Sequence, residues 1–451
     1  MKKRIAVAIF LLLYLPIIAG AQEKEKKVSV LPDVQFRTFW MNTSYPDVEF
    51  KDDFALGMSL NLGLKAEILE HWKFQVGYRA FANVTSSEIW RPDPTTGQAN
   101  RYETGLFDIL NATDRFFGQL ETFSLEYSTL KFGVKAGRMG INSDWVNAQD
   151  GRLSPTAVEG VRLWFMPDSK WSFSLWGIGK FGVRGTSEWL EVGESVGVFP
   201  QGRSVEGQPG NYFGQTDSDL LAILEIHRKT GKNAKLKFSN TFAENLFSIY
   251  WLEIASTKPK QKGSILWGFQ SGFQHGVGNG GNADPNLRYK APSDRNYVLS
   301  GRLGWNNSRW ITHLNYTHVG GRGRWLSPRE WGKDAWYTFV PRERNEGFES
   351  VDALVAYGEY GFAKTPLVIY GHLGFHWLAD MSDAAINKYN FPSYYQLNLG
   401  LKYHPTKLKN FEFHFILMNK EPMKSENLSS NQIYNKVDMI HFNGIVNWFW
   451  N

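Results

Sequence analysis

The feature that most constrains this chain is a strict two-residue alternation of apolar and polar side chains over long stretches. From Phe54 to Ile68 the even positions are Phe54, Leu56, Met58, Leu60, Leu62, Leu64, Ala66 and Ile68. The odd positions are Ala55, Gly57, Ser59, Asn61, Gly63, Lys65 and Glu67. Successive side chains point to opposite faces in an extended strand, so one face is apolar and the other small or polar. Strands of soluble proteins run to about 5–6 residues. A tilted strand crossing a bilayer needs roughly 9–11.

The pattern recurs. Trp72, Phe74, Val76, Tyr78 and Ala80 alternate with Lys73, Gln75, Gly77 and Arg79. Tyr395, Leu397, Leu399, Leu401 and Tyr403 alternate with Gln396, Asn398, Gly400 and Lys402. The whole chain predicts 18 such strands, or 16 if the short connection 244–246 divides one strand in two. Even-numbered strands are followed by short turns such as 69–71 and 307–308, and most odd-numbered ones by long loops such as 85–116, 182–216 and 320–346. Short turns at one end and long loops at the other predict an all-β fold: a transmembrane antiparallel β-barrel with short periplasmic turns and long extracellular loops. Asp438–Asn451 supplies the closing strand, with Ile440, Phe442, Gly444, Val446, Trp448 and Trp450 facing lipid.

Composition agrees. Aromatic residues make up 15% of the chain, as interfacial girdles require, and mean hydropathy is −0.36. Lys2, Lys3 and Arg4, the apolar run Ile5–Ile18 and Ala19-Gly20-Ala21 predict an export signal over 1–21, with the barrel spanning 22–451. About a dozen residues then precede the first strand, too few for a plug domain. The remaining chain has no apolar run long enough for a spanning helix. Losing those three cations lowers the net charge from +6 to +3, which with export argues against a nucleic-acid partner. The absence of cysteine excludes disulfides and thiolate metal sites.

Ala136 to Gly160 reads AGRMGINSDWVNAQDGRLSPTAVEG. Its Ala136, Gly137, Asp150, Arg152, Pro155, Glu159 and Gly160 resemble the OprD family of substrate-selective porins, as does Arg329-Glu330-Trp331-Gly332. The resemblance implies an 18-strand channel, monomeric or weakly trimeric. It implies a third loop folded inward to narrow the pore, a wall lined by Arg and Lys, and small carboxylates as substrates. Residues 139–157 are that third long loop by the strand count.

Strand parity places Arg37, Arg79, Lys135 and Arg162 on the lumen side as a basic stripe, with Arg302 further round. Asp144, Asp150 and Arg152 belong to the inward loop facing it. Such a stripe draws anions into a narrow channel, and arginine forks suit carboxylates; the plainer reading is a polar wall whose cations pair with neighbouring Glu. Loop 320–346, with Arg322, Arg324, Arg329, Lys333, Arg342 and Arg344, reads as solvated or bound to lipopolysaccharide phosphates, or else as folded over the pore mouth. The lumen glycines Gly57, Gly63, Gly77 and Gly133 suggest open space.

The function these residues predict is passive, substrate-selective diffusion of small anionic solutes across a Gram-negative outer membrane. No catalytic, cofactor or metal site is expected, and the partners are solutes, outer-membrane lipid and lipopolysaccharide, with a monomer or homotrimer. The alternatives are a structural or adhesive barrel with a filled lumen, or an outer-membrane hydrolase using Ser271 and His275. Gly193-Glu194-Ser195-Val196-Gly197 and Gly276 to Gly281 match a nucleophile elbow and a dinucleotide fingerprint, but neither has the required strand-to-helix setting. A calcium loop at Asn282 and Asp284 is a weaker alternative for the second.

Overall fold

A computed structural model describes residues 28–149, 151–425 and 427–450. The expected signal at 1–21 and Asp150 lie outside the described residues. In chain order the strands are β1 (Val28–Ser44), β2 (Asp53–Ile68), β3 (Trp72–Ser86), β4 (Phe116–Ser128), β5 (Phe132–Gly140), β6 (Ala157–Phe165) and β7 (Trp171–Gly182). Next come β8 (Trp189–Glu191), β9 (Leu221–Thr230), β10 (Ala234–Ala243), β11 (Phe247–Lys260), β12 (Gly263–Gly276) and β13 (Arg295–Asn306). The last are β14 (Trp310–Arg322), β15 (Val351–Gly361), β16 (Leu367–Leu378), β17 (Tyr394–Tyr403), β18 (Phe411–Pro422) and β19 (Met439–Trp450).

All but β8 form a closed antiparallel barrel of 18 strands. β8 pairs only with the end of β7, inside a long loop. Closure is made by β1 on β19, in register from Val34 opposite Trp450 to Ser44 opposite Ile440. Pairing the last strand with the first closes the sheet and leaves no free edge strand among the described strands. The connection 244–246 is a genuine tight turn, so the count is 18 rather than 16. Two other loops close over it. Asn245 Nδ2 donates to Asp217 O at 3.0 Å, and Asn279 N donates to Asn245 Oδ1 at 2.7 Å.

The alternation partitions as expected. Leu60, Leu62, Tyr78, Leu125, Leu303 and Leu314 are exposed on the outer wall, while Ser59, Asn61, Arg79, Gln270 and Asn315 are buried inside. This inverts a soluble protein and suits a hydrocarbon solvent. Aromatic rings mark the short-turn end, including Trp72 against Tyr127 at 5.0 Å and Trp310 against Tyr360 at 4.6 Å. Gly137 shows why the Ala-Gly pair is needed there: its φ is +111°, and a Cβ would lie 2.2 Å from Phe123 O.

The apolar core lies at the long-loop end, within the barrel mouth, where Trp145, Trp325, Trp331 and Trp336 are buried together. Ser271 and His275 share the outward face with Phe269 and Phe273, which are exposed, so their orientation is toward lipid.

Candidate functional site

The inward loops fill the barrel mouth from several sides. Residues 141–156 enter between the walls, with Trp145 packed on Trp251 at 5.2 Å, Trp325 at 5.2 Å and Trp336 at 5.4 Å. Residues 323–350 also fold in, rather than standing as a solvated or lipopolysaccharide-bound surface. Trp331 stacks on Phe181 at 5.1 Å, and its Nε1 donates to Ser195 Oγ at 2.8 Å. That contact explains the elbow-like motif around Ser195 as a loop turn seating a tryptophan.

A buried ionic web locks this loop. Glu343 receives Arg101 at 2.8 Å and Lys420 at 2.7 Å, Arg329 holds Glu346 at 2.7 Å, and Arg344 holds Asp334 at 2.7 Å. Burial pushes the Glu343 carboxyl up, but Arg101, Lys420 and Arg329 outweigh it and hold that group well below the usual carboxylate range. A loop has no period to reveal which side chains turn inward, so the sequence alone does not place these arginines.

The sequence-predicted wall residues all lie inside, but they do not form one open stripe. Arg37 Nε donates to Asn447 Oδ1 at 2.6 Å, and its Nη1 donates to the carbonyl of Arg152 at 2.9 Å. Arg79 is matched by Glu121. Lys135 sits between Glu126, at 3.9 Å, and Arg162, its direct cross-strand partner. Arg162 lies over the rings of Trp164 and Trp176 at 5.2 and 4.9 Å. Asp144 does not face these residues; it pairs with Lys237 at 2.8 Å and accepts from Ser239 at 2.6 Å, both on β10. Arg152 is half-buried in the inward loop, and desolvation lowers its guanidinium to about 10 against the pull of Glu103.

Nor do the lumen glycines leave open space. A Cβ on Gly57 would meet Leu153 Cδ1 at 2.6 Å, and one on Gly133 would meet Trp164 Cζ2 at 2.0 Å. Gly57, Gly77 and Gly133 seat side chains that lie across the strand, and Gly63 faces neighbouring backbone.

The open space is on the opposite wall. A cavity of about 470 Å³ runs along β13–β19, from Gln149 and Gly151 of the inward loop to Lys402 and His414 near the short-turn end. Arg302, Lys333, Arg342 and Lys402 line it, and no Asp or Glu does among the described residues. Arg302 donates to Asn315 Oδ1 at 2.9 Å and lies over the Tyr337 ring at 4.2 Å. One side is a ladder of rings across three paired strands, His313 to Tyr357 at 4.6 Å and Tyr357 to His372 at 4.7 Å. Below it Tyr370 Oη shares a 2.6 Å hydrogen bond with His414. A second cavity, of about 390 Å³, meets the first at Arg302, Lys333, Tyr337 and Phe339. It is mixed in sign, since Asp144, Glu253 and Asp334 line it beside Lys237.

Sequence reasoning singled out Arg302 but missed Lys402 and the ring ladder. The available signal was parity: Lys402 and His313 both fall on polar faces. His313 and His318 do lie on opposite faces, as their spacing requires. Asn282 and Asp284 spend their side-chain oxygens on backbone amides of their own turn, at 2.9 Å each. No group of His, Cys, Asp or Glu among the described residues is arranged to hold a metal.

No protein-family model and no curated protein matches the chain by sequence. Solved structures do match in shape. OccK9 (OpdG) of Pseudomonas aeruginosa superposes with a TM-score of 0.72 at 11% identity, over 94% of this chain and 98% of that one. OpdK of Pseudomonas aeruginosa, with vanillate, gives 0.71 at 12%, over 93% and 98%. A BenF-like porin from Pseudomonas fluorescens Pf-5 gives 0.72 at 12%, over 93% and 98%. The chain is thus an OprD-like barrel: its fold is that of the OprD/Occ porins.

Proposed function

We propose that this barrel is an outer-membrane porin that passes small anionic solutes by passive diffusion. The observation that carries the reading is the cavity lined by Arg302, Lys333, Arg342 and Lys402 with no described carboxylate among its lining residues. A one-signed wall in a narrow, low-dielectric channel raises the local concentration of the opposite charge. The barrel supplies the path, and the inward loops 141–156 and 323–350 set its width. The likeness to OpdK, whose structure carries vanillate, supports a carboxylate as the solute. In this reading the short turns face the periplasm and the long loops face outward, among lipopolysaccharide. Each barrel works as a monomer or within a homotrimer.

The test is single-channel recording of the refolded protein in a planar bilayer under a salt gradient. A steady conductance with a reversal potential favouring chloride is expected. A preference for potassium would overturn the anionic claim and keep the channel. No conductance would favour the second reading, a barrel closed by its own loops, which the buried tryptophan cluster at the mouth supports.

A further inference from the structure

A second basic pocket lies in the loop cap, apart from the lumenal cavity. It is small, about 50 Å³, and four long loops build it. Arg203 and Tyr212 come from residues 183–220, Tyr289 and Asp294 from 277–294, Arg324 from 323–350 and Lys388 from 379–393. Four basic side chains line it, Arg203, Arg288, Arg324 and Lys388, against one carboxylate, Asp294. Asp294 is already engaged by Lys290 Nζ at 3.4 Å.

The cations are tethered so that donors remain over. Arg324 donates Nε to Ala385 O at 3.3 Å and Nη1 to Arg203 O at 2.8 Å. Its Nη2 is buried and has no partner, although the residue is only 5% exposed. Arg203 spends Nη2 on the carbonyls of Met381 and Asn387, both at 2.8 Å, and its buried Nε has no partner. The hydroxyl of Tyr289, a residue 6% exposed, is likewise unpartnered. Three unsatisfied donors therefore belong to residues lining one pocket, beside one unsatisfied acceptor, Asn286 Oδ1; a buried donor without an acceptor costs about 1–3 kcal/mol.

The surrounding carboxylates have partners elsewhere, with the Oε2 of Glu346 left buried and unpaired. Glu346 holds Arg329 at 2.7 Å and Tyr389 at 2.5 Å, and Glu330 accepts the amides of Gly197 at 3.2 Å and Phe199 at 2.7 Å. Asp383 accepts the amide of Ala385 at 2.8 Å. Burial brings Lys388 down to about 7 against the pull of Glu346, with Arg324 and Arg329 adding to the fall. The backbone is shaped to this arrangement. Gly280, at φ +70°, lets Tyr289 and Lys290 pack against it; a Cβ there would stand 1.6 Å from Lys290 O.

We propose that this pocket is an oxyanion site of the loop cap, which takes one carboxylate or phosphate group between Arg324, Arg203 and Tyr289. The volume admits a group of a few heavy atoms, since a single water needs roughly 10–15 Å³ of such space. Two guanidinium N–H groups and a phenol O–H match an acceptor-only oxyanion and reject a cation. A bound anion ties three loops together at the barrel mouth. The site stands whether or not the lumen conducts anions.

The experiment is isothermal titration of the folded, detergent-solubilised barrel with sodium acetate and, separately, inorganic phosphate, at fixed ionic strength in chloride. One saturable site for at least one of the two is expected, and the tighter of them identifies the headgroup chemistry. Arg324→Gln should weaken it about tenfold or more, as loss of a charged hydrogen bond does. Tyr289→Phe, which removes one oxygen atom and little else, should weaken it severalfold. Folding of each variant is checked by its heat-dependent mobility on a gel; if Arg324→Gln does not fold, Tyr289→Phe decides. No saturable binding of either anion, or unchanged affinity in the folded variants, overturns the proposal. So does binding that disappears in Lys402→Gln, because the anion would then lie in the lumen.

Discussion

Arg79 and Glu121 meet inside the barrel wall as a two-pronged ion pair, Nε to Oε2 at 2.5 Å and Nη2 to Oε1 at 2.8 Å. Both residues are 5% exposed or less. Side-on pairing fixes the guanidinium plane and cancels its charge toward the lumen. Glu121 lies at the register shift between β3 and β4, where Gly77 pairs with Thr122 and Tyr78 with Leu120. That bulge turns its side chain inward to reach Arg79.

Glu121→Gln should therefore do two things at once. It leaves a buried cation without its partner, which costs about 3 kcal/mol or more. It also returns one positive charge to the lumen. The expected outcome is a lower urea midpoint with an unchanged slope and a stronger chloride preference. The double variant Arg79→Gln/Glu121→Gln should recover much of the stability and lose the added preference.

Lys402 should matter more to selectivity than to folding. It lines the larger cavity and is exposed there, with the Tyr370 ring 5.7 Å away. One unit charge at about 4 Å in water-like surroundings is worth about 1 kcal/mol. Lys402→Gln is expected to lower the chloride-to-potassium permeability ratio by a factor of roughly two to five and to leave the unfolding midpoint in place. An unchanged reversal potential would remove Lys402 from the conduction path.

Glu103 predicts a pH dependence of stability. Burial raises its carboxyl to about 7, against a hydrogen bond from Thr43 at 2.6 Å. The folded form therefore holds a proton that the unfolded chain releases near 4.5. That contribution is complete below pH 4.5 and is lost as pH rises through about 7. The span corresponds to about 3 kcal/mol at most. Urea midpoints should fall from pH 4.5 toward 7, and Glu103→Gln should flatten that slope.

The sequence made the barrel wall readable because one side-chain period governs every strand. Phe54 to Ile68 faces the way its parity requires, and Arg37, Arg79, Lys135, Arg162 and Arg302 all point inward. What parity does not carry is the partner on the next strand. Glu121 and Glu126 neutralise Arg79 and Lys135 through register and a bulge, neither of which is written in a single strand. Loops carry no period at all, so the sequence left loop 320–346 open between a solvated surface and a fold over the pore mouth, and the pairing of Asp144 with Lys237 and the seating of Leu153 on Gly57 were outside its reach.

The strongest test of the inward loop is Trp145. It belongs to residues 141–156, yet its ring touches Trp251 of the wall and Trp325 and Trp336 of another loop. It is 1% exposed, so Trp145→Ala opens a cavity that its rigid neighbours fill poorly. The loss should be about 3–5 kcal/mol, as for other buried aromatic truncations. Because the deleted contacts join two loops to the wall, most of that energy belongs to the loops and little to the strand ladder. The barrel should therefore still close and resist cold detergent, while limited proteolysis cuts within 141–156 or 323–350. In a bilayer the variant should conduct more current, with noisier steps, because the segments that narrow the lumen are no longer pinned. Protease resistance and current steps equal to those of the parent would show that the ionic web around Glu343 holds the loops without the tryptophan cluster.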